Sequence, residues 1–147
     1  MIDYRLEETA ALGAAIAGVL RAGDMIGLSG DLGAGKTTLA RAILAALGLA
    51  GEAPSPSYAI VQPYAPPETQ LPVVHADLYR IDDQADIAEL GLADYRHDHA
   101  ILVEWPERMG SGAPPDMLVL AIEFVGDAMR RLTAQVPPAW EKRWPPR

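Results

Sequence analysis

Apolar positions recur on two different rhythms along this chain. Leu12, Ala15, Ile16, Val19 and Leu20 share one helical face, the acidic pair Glu7 and Glu8 suits the start of such a helix, and Gly23 supplies a stop. The spacing therefore predicts an amphipathic helix ahead of Gly23. The run Met25 to Ser29 is short, apolar and followed by a glycine, which reads as a buried strand. Leu39, Ala42, Ile43, Ala46 and Leu47 restore the helical period, with Gly48 at its end. The resulting order is helix, strand, glycine loop, helix.

Downstream the pattern is interrupted and then resumes. Pro54, Pro56, Pro63, Pro66 and Pro67 make residues 50–67 a predicted loop, although "SYAIVQPY" holds a candidate edge strand that tolerates Pro63. "LPVVHADLY" reads as a strand ending in polar residues, "QADIAELGL" as a short helix, and "AILVEW" as a strand whose apolar run ends in a carboxylate. "DMLVLAIEF" and "MRRLTAQV" predict two strands of a hairpin around the turn "VGDA". The segment "PPAWEKRWPPR" has no period and is expected as an irregular Pro, Trp and basic tail over residues 137–147, outside a single domain at 1–136. The expected class is α/β: a P-loop NTPase-like three-layer domain with a mixed parallel and antiparallel central sheet.

Composition narrows the function classes. A chain of 147 residues, 50% hydrophobic, suits one domain that buries about two-thirds of its unfolded surface. It has no cysteine, so disulfide frameworks and thiolate zinc sites are excluded. No basic segment followed by an apolar stretch opens it, and no apolar run reaches a membrane span, so a soluble cytoplasmic protein is expected. The net charge of −8 opposes extensive contact with nucleic-acid backbone. Acidic residues crowd positions 82–98, while five of the twelve basic residues lie in the last eighteen.

One of only two lysines, Lys36, sits between Gly35 and Thr37 in "LSGDLGAGKTTLA". Gly30, Gly35, Lys36 and Thr37 satisfy G-x-x-x-x-G-K-S/T after a predicted strand and before a predicted helix. Glycines let the backbone approach phosphate oxygens, and the helix start adds its dipole and unpaired amides. Lys36 then reaches the β and γ phosphates, and the Thr37 hydroxyl coordinates Mg²⁺. Hydrolysis further needs an acidic site for the metal and a group that orients water. Asp77 and Glu104 stand at the ends of apolar strands, where open α/β sheets bind ligands. His75 shares a face with Asp77 and is read as a hydrogen-bonded structural residue. His97 and His99 are expected to be exposed.

The ordered set "ETAALG", "GDLGAGKTT", "SPSY", "HADLYR", "ELGLADY" and "VEWPE" resembles the TsaE (YjeE) family, bacterial ATPases of tRNA threonylcarbamoyladenosine synthesis. The likeness spans roughly residues 8 to 110, and "DLYR" and "VEWPE" are its specific parts. The resemblance implies that the stretch Gly30, Asp31, Leu32, Gly33, Ala34, Gly35, Lys36, Thr37 and Thr38 cradles ATP. It implies Thr37 and Glu104 on the Mg²⁺ side, Asp77 activating water, and Trp105 beside the nucleotide. "SPSY" looks like a switch segment in which Ser57 replaces the usual threonine. It also implies the partners TsaB and TsaD, with tRNA met only indirectly, and slow intrinsic ATP hydrolysis. A small-molecule kinase and a non-catalytic nucleotide sensor are the rival readings. Arg80, Arg96 and Arg108 are scattered rather than gathered in a kinase lid, and no guanine-reading N-K-x-D segment is present. Trp140 and Trp144 allow either partner docking or a loosely packed terminus.

Overall fold

The computed structural model describes residues 1–51 and 60–146. Strands run over Ile2–Arg5 (β1), Met25–Ser29 (β2), Val61–Tyr64 (β3), Val73–Asp77 (β4), Ala100–Glu104 (β5), Leu118–Phe124 (β6) and Met129–Gln135 (β7). They form one sheet in the order β1-β7-β6-β2-β5-β4-β3. The four inner strands are parallel, and β1, β3 and β7 join antiparallel. Every residue of β4 and β5 is buried, which is why their apolar positions stand side by side rather than alternating with exposed polar ones.

Helices cover both faces. Thr9–Val19 (α1) and Lys36–Ala46 (α2) pack on the side that carries Ile26, Leu28, Leu102, Leu118 and Leu120. Gln84–Glu89 (α3), Leu92–Tyr95 (α4) and a 3-10 segment at Pro106–Gly112 cover Met25, Val74, Ala76, Ile101 and Val103 on the other. The α/β class and the mixed three-layer sheet expected from the sequence are the observed architecture. No described helix is long and apolar enough to cross a membrane.

Three local features differ from the sequence reading. The first strand, β1, was not anticipated: four residues at an edge, only Tyr4 of them buried, carry too little periodicity to register. The helix expected over "QADIAELGL" is two short helices, because Gly91 takes φ +73 and ends the first one's geometry. The C-terminal segment is irregular apart from one 3-10 turn at Pro138–Trp140, yet it is not loosely attached. Trp140 is 1% exposed in the α1–α2 core, and Trp144 packs against it. Arg143 clamps the segment down, donating to the Val19 carbonyl and the Asp24 carboxylate, with its guanidinium 4.0 Å from the Trp140 ring centroid.

Candidate functional site

The site grows from the junction of β2 and α2. Gly30 leaves β2 so close to the end of β6 that a Cβ would collide with the Ile122 carbonyl, and Gly35 enters α2 at φ +113, a conformation natural only to glycine. The α2 N-terminus has no side-chain cap, so its amides are offered to an incoming acceptor. Ala34 differs from its neighbours: its side chain is fully buried, and only its backbone belongs to the loop.

Lys36, the first residue of α2, is just 4% exposed. Its Nζ donates to the carbonyls of Gly30 at 2.6 Å and Asp31 at 2.8 Å, and lies 4.4 Å from the Trp105 ring centroid. Burial pushes its pKa below the usual lysine value, and the carboxylates of Glu104, Glu107, Asp77 and Asp31 only partly oppose the shift.

The next side chain reaches across the sheet. Thr37 donates from Oγ1 to Glu104 Oε1 at 2.7 Å, joining the helix start to the end of β5. The other oxygen, Oε2, is 2.7 Å from Nε2 of the fully buried His75 on β4. A carboxylate only accepts, so Nε2 is the donor. Parallel pairing of β4 with β5 sets Asp77 opposite Glu104, and Asp77 Oδ1 accepts from the Tyr79 amide at 2.9 Å. Both acids are buried, Asp77 at 8% exposure and Glu104 at 2%.

One cleft collects most of the residues singled out from the sequence. Leu32, Gly33, Gly35, Lys36, Thr37 and Thr38 line it from the loop and α2, and Asp77, Glu104, Trp105 and Tyr79 from the strand ends. Asp31 takes part through its carbonyl. Ser57 lies outside the described residues. Arg80 faces a separate depression with Asp82, Asp83, Asp86 and Glu89, away from the cleft. Trp105 holds φ +61, a left-handed backbone that costs a non-glycine residue about 1–3 kcal/mol and so implies a local constraint. Its ring lies 5.0 Å from that of Tyr79.

One cleft neighbour is legible in the sequence without its partner, and another is not legible at all. His75 is the hydrogen-bonded structural residue expected, and its partner is Glu104, 29 residues away. Arg130 of β7 donates from Nε to the Ala34 carbonyl at 3.1 Å. Nothing local in the sequence marks that contact, which spans 96 positions.

The oxygen donors suit a hard divalent cation. Thr37 Oγ1 and Glu104 Oε1 already lie within one hydrogen bond of each other, and among the described residues no group of three or more His, Cys, Asp or Glu gathers as a complete metal cage. A site of one or two protein oxygens, completed by water and phosphate, is the usual magnesium arrangement.

Sequence comparison places this geometry in a family. The family model described as "Threonylcarbamoyl adenosine biosynthesis protein TsaE" matches residues 4–132. This chain belongs to the TsaE family. It is 36% identical to the tRNA threonylcarbamoyladenosine biosynthesis protein TsaE of Bacillus subtilis, over 86% of this chain and 78% of that one. It is 37% identical to the protein of the same name from Streptomyces coelicolor, over 90% and 91% of the respective chains. The crystal structure of YdiB from Bacillus subtilis superposes with a TM-score of 0.78 at 32% identity, covering 96% of this chain and 89% of that one. The TsaE resemblance read from the motifs is therefore family membership.

Proposed function

We propose that this chain binds Mg-ATP in the cleft, hydrolyses it slowly, and serves tRNA threonylcarbamoyladenosine modification in the cytoplasm as an accessory ATPase acting with TsaB and TsaD. The observation that carries the reading is the Thr37–Glu104 hydrogen bond of 2.7 Å, with the buried Lys36 ammonium beside it. Such a set gives a triphosphate a cation, a helix N-terminus and a half-built metal site together.

Each side chain then has a task. Lys36 supplies positive charge at the phosphates, from a pocket whose burial already penalises an unpaired cation. Thr37 and Glu104 would hold the metal, which when bound neutralises charge on the phosphate oxygens. His75 fixes Glu104 so that Oε1 stays turned toward Thr37. Asp77, across from Glu104, orients the attacking water and accepts its proton. Arg80, the arginine of the "HADLYR" segment, lines another depression and is not among the residues that line the cleft, which supports slow intrinsic turnover. The net charge of −8 favours contact with protein partners over direct contact with tRNA.

Calorimetry and phosphate release on the purified chain test this. Wild type binds Mg-ATP and releases inorganic phosphate without an added acceptor, on the order of 10⁻³ s⁻¹ as expected of a nucleotide switch lacking a transition-state arginine. Adding TsaB and TsaD raises the rate. Lys36→Ala lowers ATP affinity about 100-fold by removing a charge-assisted contact. Unchanged affinity in that variant contradicts the assignment, and phosphate release only with a small-molecule acceptor favours the kinase reading.

A further inference from the structure

The segment "VEWPE" ends in an acid that the site above does not use. Glu104 and Trp105 line the cleft, whereas Glu107 is not among its lining residues and belongs to the 3-10 turn that opens at Pro106. It is exposed, and it still has a partner: Ser29 Oγ, at the end of β2, donates to Glu107 Oε2 at 3.1 Å. Ser29 directly precedes Gly30, the first residue of the phosphate loop.

Three consecutive residues of β2 fasten this turn. A Cβ on Gly27 would stand 2.8 Å from Pro106 Cβ, so only a glycine lets the proline come so near. The Leu28 carbonyl accepts from the Trp105 amide at 3.1 Å, and Ser29 holds Glu107. Gly27 and Ser29 share one face of the strand, so the turn is fixed to that face on either side of the Leu28 bond. Trp105 is the residue these contacts constrain. Its backbone, at φ +61 and ψ 52, is one that a bulky residue keeps only where its surroundings impose it. In that conformation the indole ring centroid lies 4.4 Å from Lys36 Nζ and 5.0 Å from the Tyr79 ring.

We propose that Glu107 is a positioning residue of the nucleotide site, which through Ser29 holds the strained Trp105 backbone and so keeps the indole wall beside Lys36. The inference rests on the nucleotide reading above and adds to it the control of one wall of the cleft. Of the three fastenings, this alone joins two side chains. Because its partner sits at the root of the loop, it also ties the place of the wall to that of Gly30. Glu107 is in addition one of the carboxylates whose charge favours the Lys36 ammonium. Glu107→Gln separates the two effects, since it removes the charge and keeps an oxygen that accepts from Ser29.

Fluorine NMR of the full chain labelled with fluorotryptophan, with the Trp105 signal assigned from Trp105→Phe, reads the wall without ligand, and calorimetry with Mg-ATP reads the site. Glu107→Ala and Ser29→Ala are each expected to move the Trp105 signal and to lower Mg-ATP affinity about fivefold, as the loss of one net hydrogen bond would. The double variant loses no more than either alone, because both remove the same contact. Glu107→Gln keeps the wild-type signal and an affinity at least that of wild type. An unmoved Trp105 signal in Glu107→Ala overturns the proposal, as do additive losses in the double variant. A Gln variant that matches Ala in signal and affinity also overturns it, since charge alone then accounts for Glu107. A wild-type chain that binds no Mg-ATP overturns the nucleotide reading and this proposal with it, an outcome distinct from wild-type binding that is indifferent to Glu107.

Discussion

Lys36 shows why this site reads as built for a ligand rather than for stability. A buried ammonium with two carbonyls and one aromatic face for company bears a desolvation penalty, and its lowered pKa expresses that penalty. In the depressed-pKa window the unfolded chain binds more protons than the folded one. Stability therefore rises as pH climbs from the folded pKa toward the ordinary lysine value, and the penalty is fully present below the folded pKa. Lys36→Met, which keeps the stem and removes the charge, is expected to stabilise the nucleotide-free chain by about 1 kcal/mol, or about 3 °C in melting temperature. The gain survives the loss of two hydrogen bonds because Gly30 and Asp31 retain access to water. The same variant should show no further melting shift with Mg-ATP, and a lower melting point than wild type without ligand would contradict the argument. Lys36, Thr37 and Glu104 were legible one at a time because each closes a local pattern of strand, loop or helix. The hydrogen-bonded role of His75 was legible but its partner was not, nor was the contact of Arg130 with Ala34, because residues 29 and 96 positions apart are brought together only by the assembled sheet.

Between elements, the position of the phosphate loop depends on how closely α1 approaches α2. Gly13 makes that approach possible: a Cβ there would press into Ala42 Cβ and the α2 backbone. The buried residues of α1 are Thr9, Gly13 and Ile16, followed by Leu20 just beyond it, a stripe that shares only Ile16 and Leu20 with the apolar set predicting the helix. The helix was therefore legible while its true contact line was not, since glycine and threonine carry no apolar signal. Gly13→Ala should cost about 1–3 kcal/mol through overpacking and weaken Mg-ATP binding, because the displaced helix carries Lys36 and Thr37 at its start. Denaturant melts and calorimetry on that variant check both, and wild-type stability would contradict the close-packing account. Gly91 makes a related point: a glycine inside one apolar pattern ended a helix and began another.

Across the whole molecule, parallel pairing turns scattered sequence signals into one cleft. The β2–β5 and β4–β5 registers bring the loop, Glu104 and Asp77 to the same sheet edge. The class and the site edge were legible because strands ending in acids and a strand-loop-helix order constrain where a parallel sheet can place them. The docked terminus was not, since the Asp24 partner of Arg143 lies 119 positions earlier and the cluster that takes Trp140 is assembled from strands and helices along the whole chain. The central claim is that this edge holds a magnesium triphosphate between the loop amides and Glu104. A crystal structure grown with magnesium and a non-hydrolysable ATP analogue tests it most directly. The account predicts Lys36 turned onto the terminal phosphates, and a metal between Thr37 and Glu104 in place of their hydrogen bond. A triphosphate bound elsewhere, with the Thr37–Glu104 contact intact and Lys36 still on the carbonyls of Gly30 and Asp31, would contradict it.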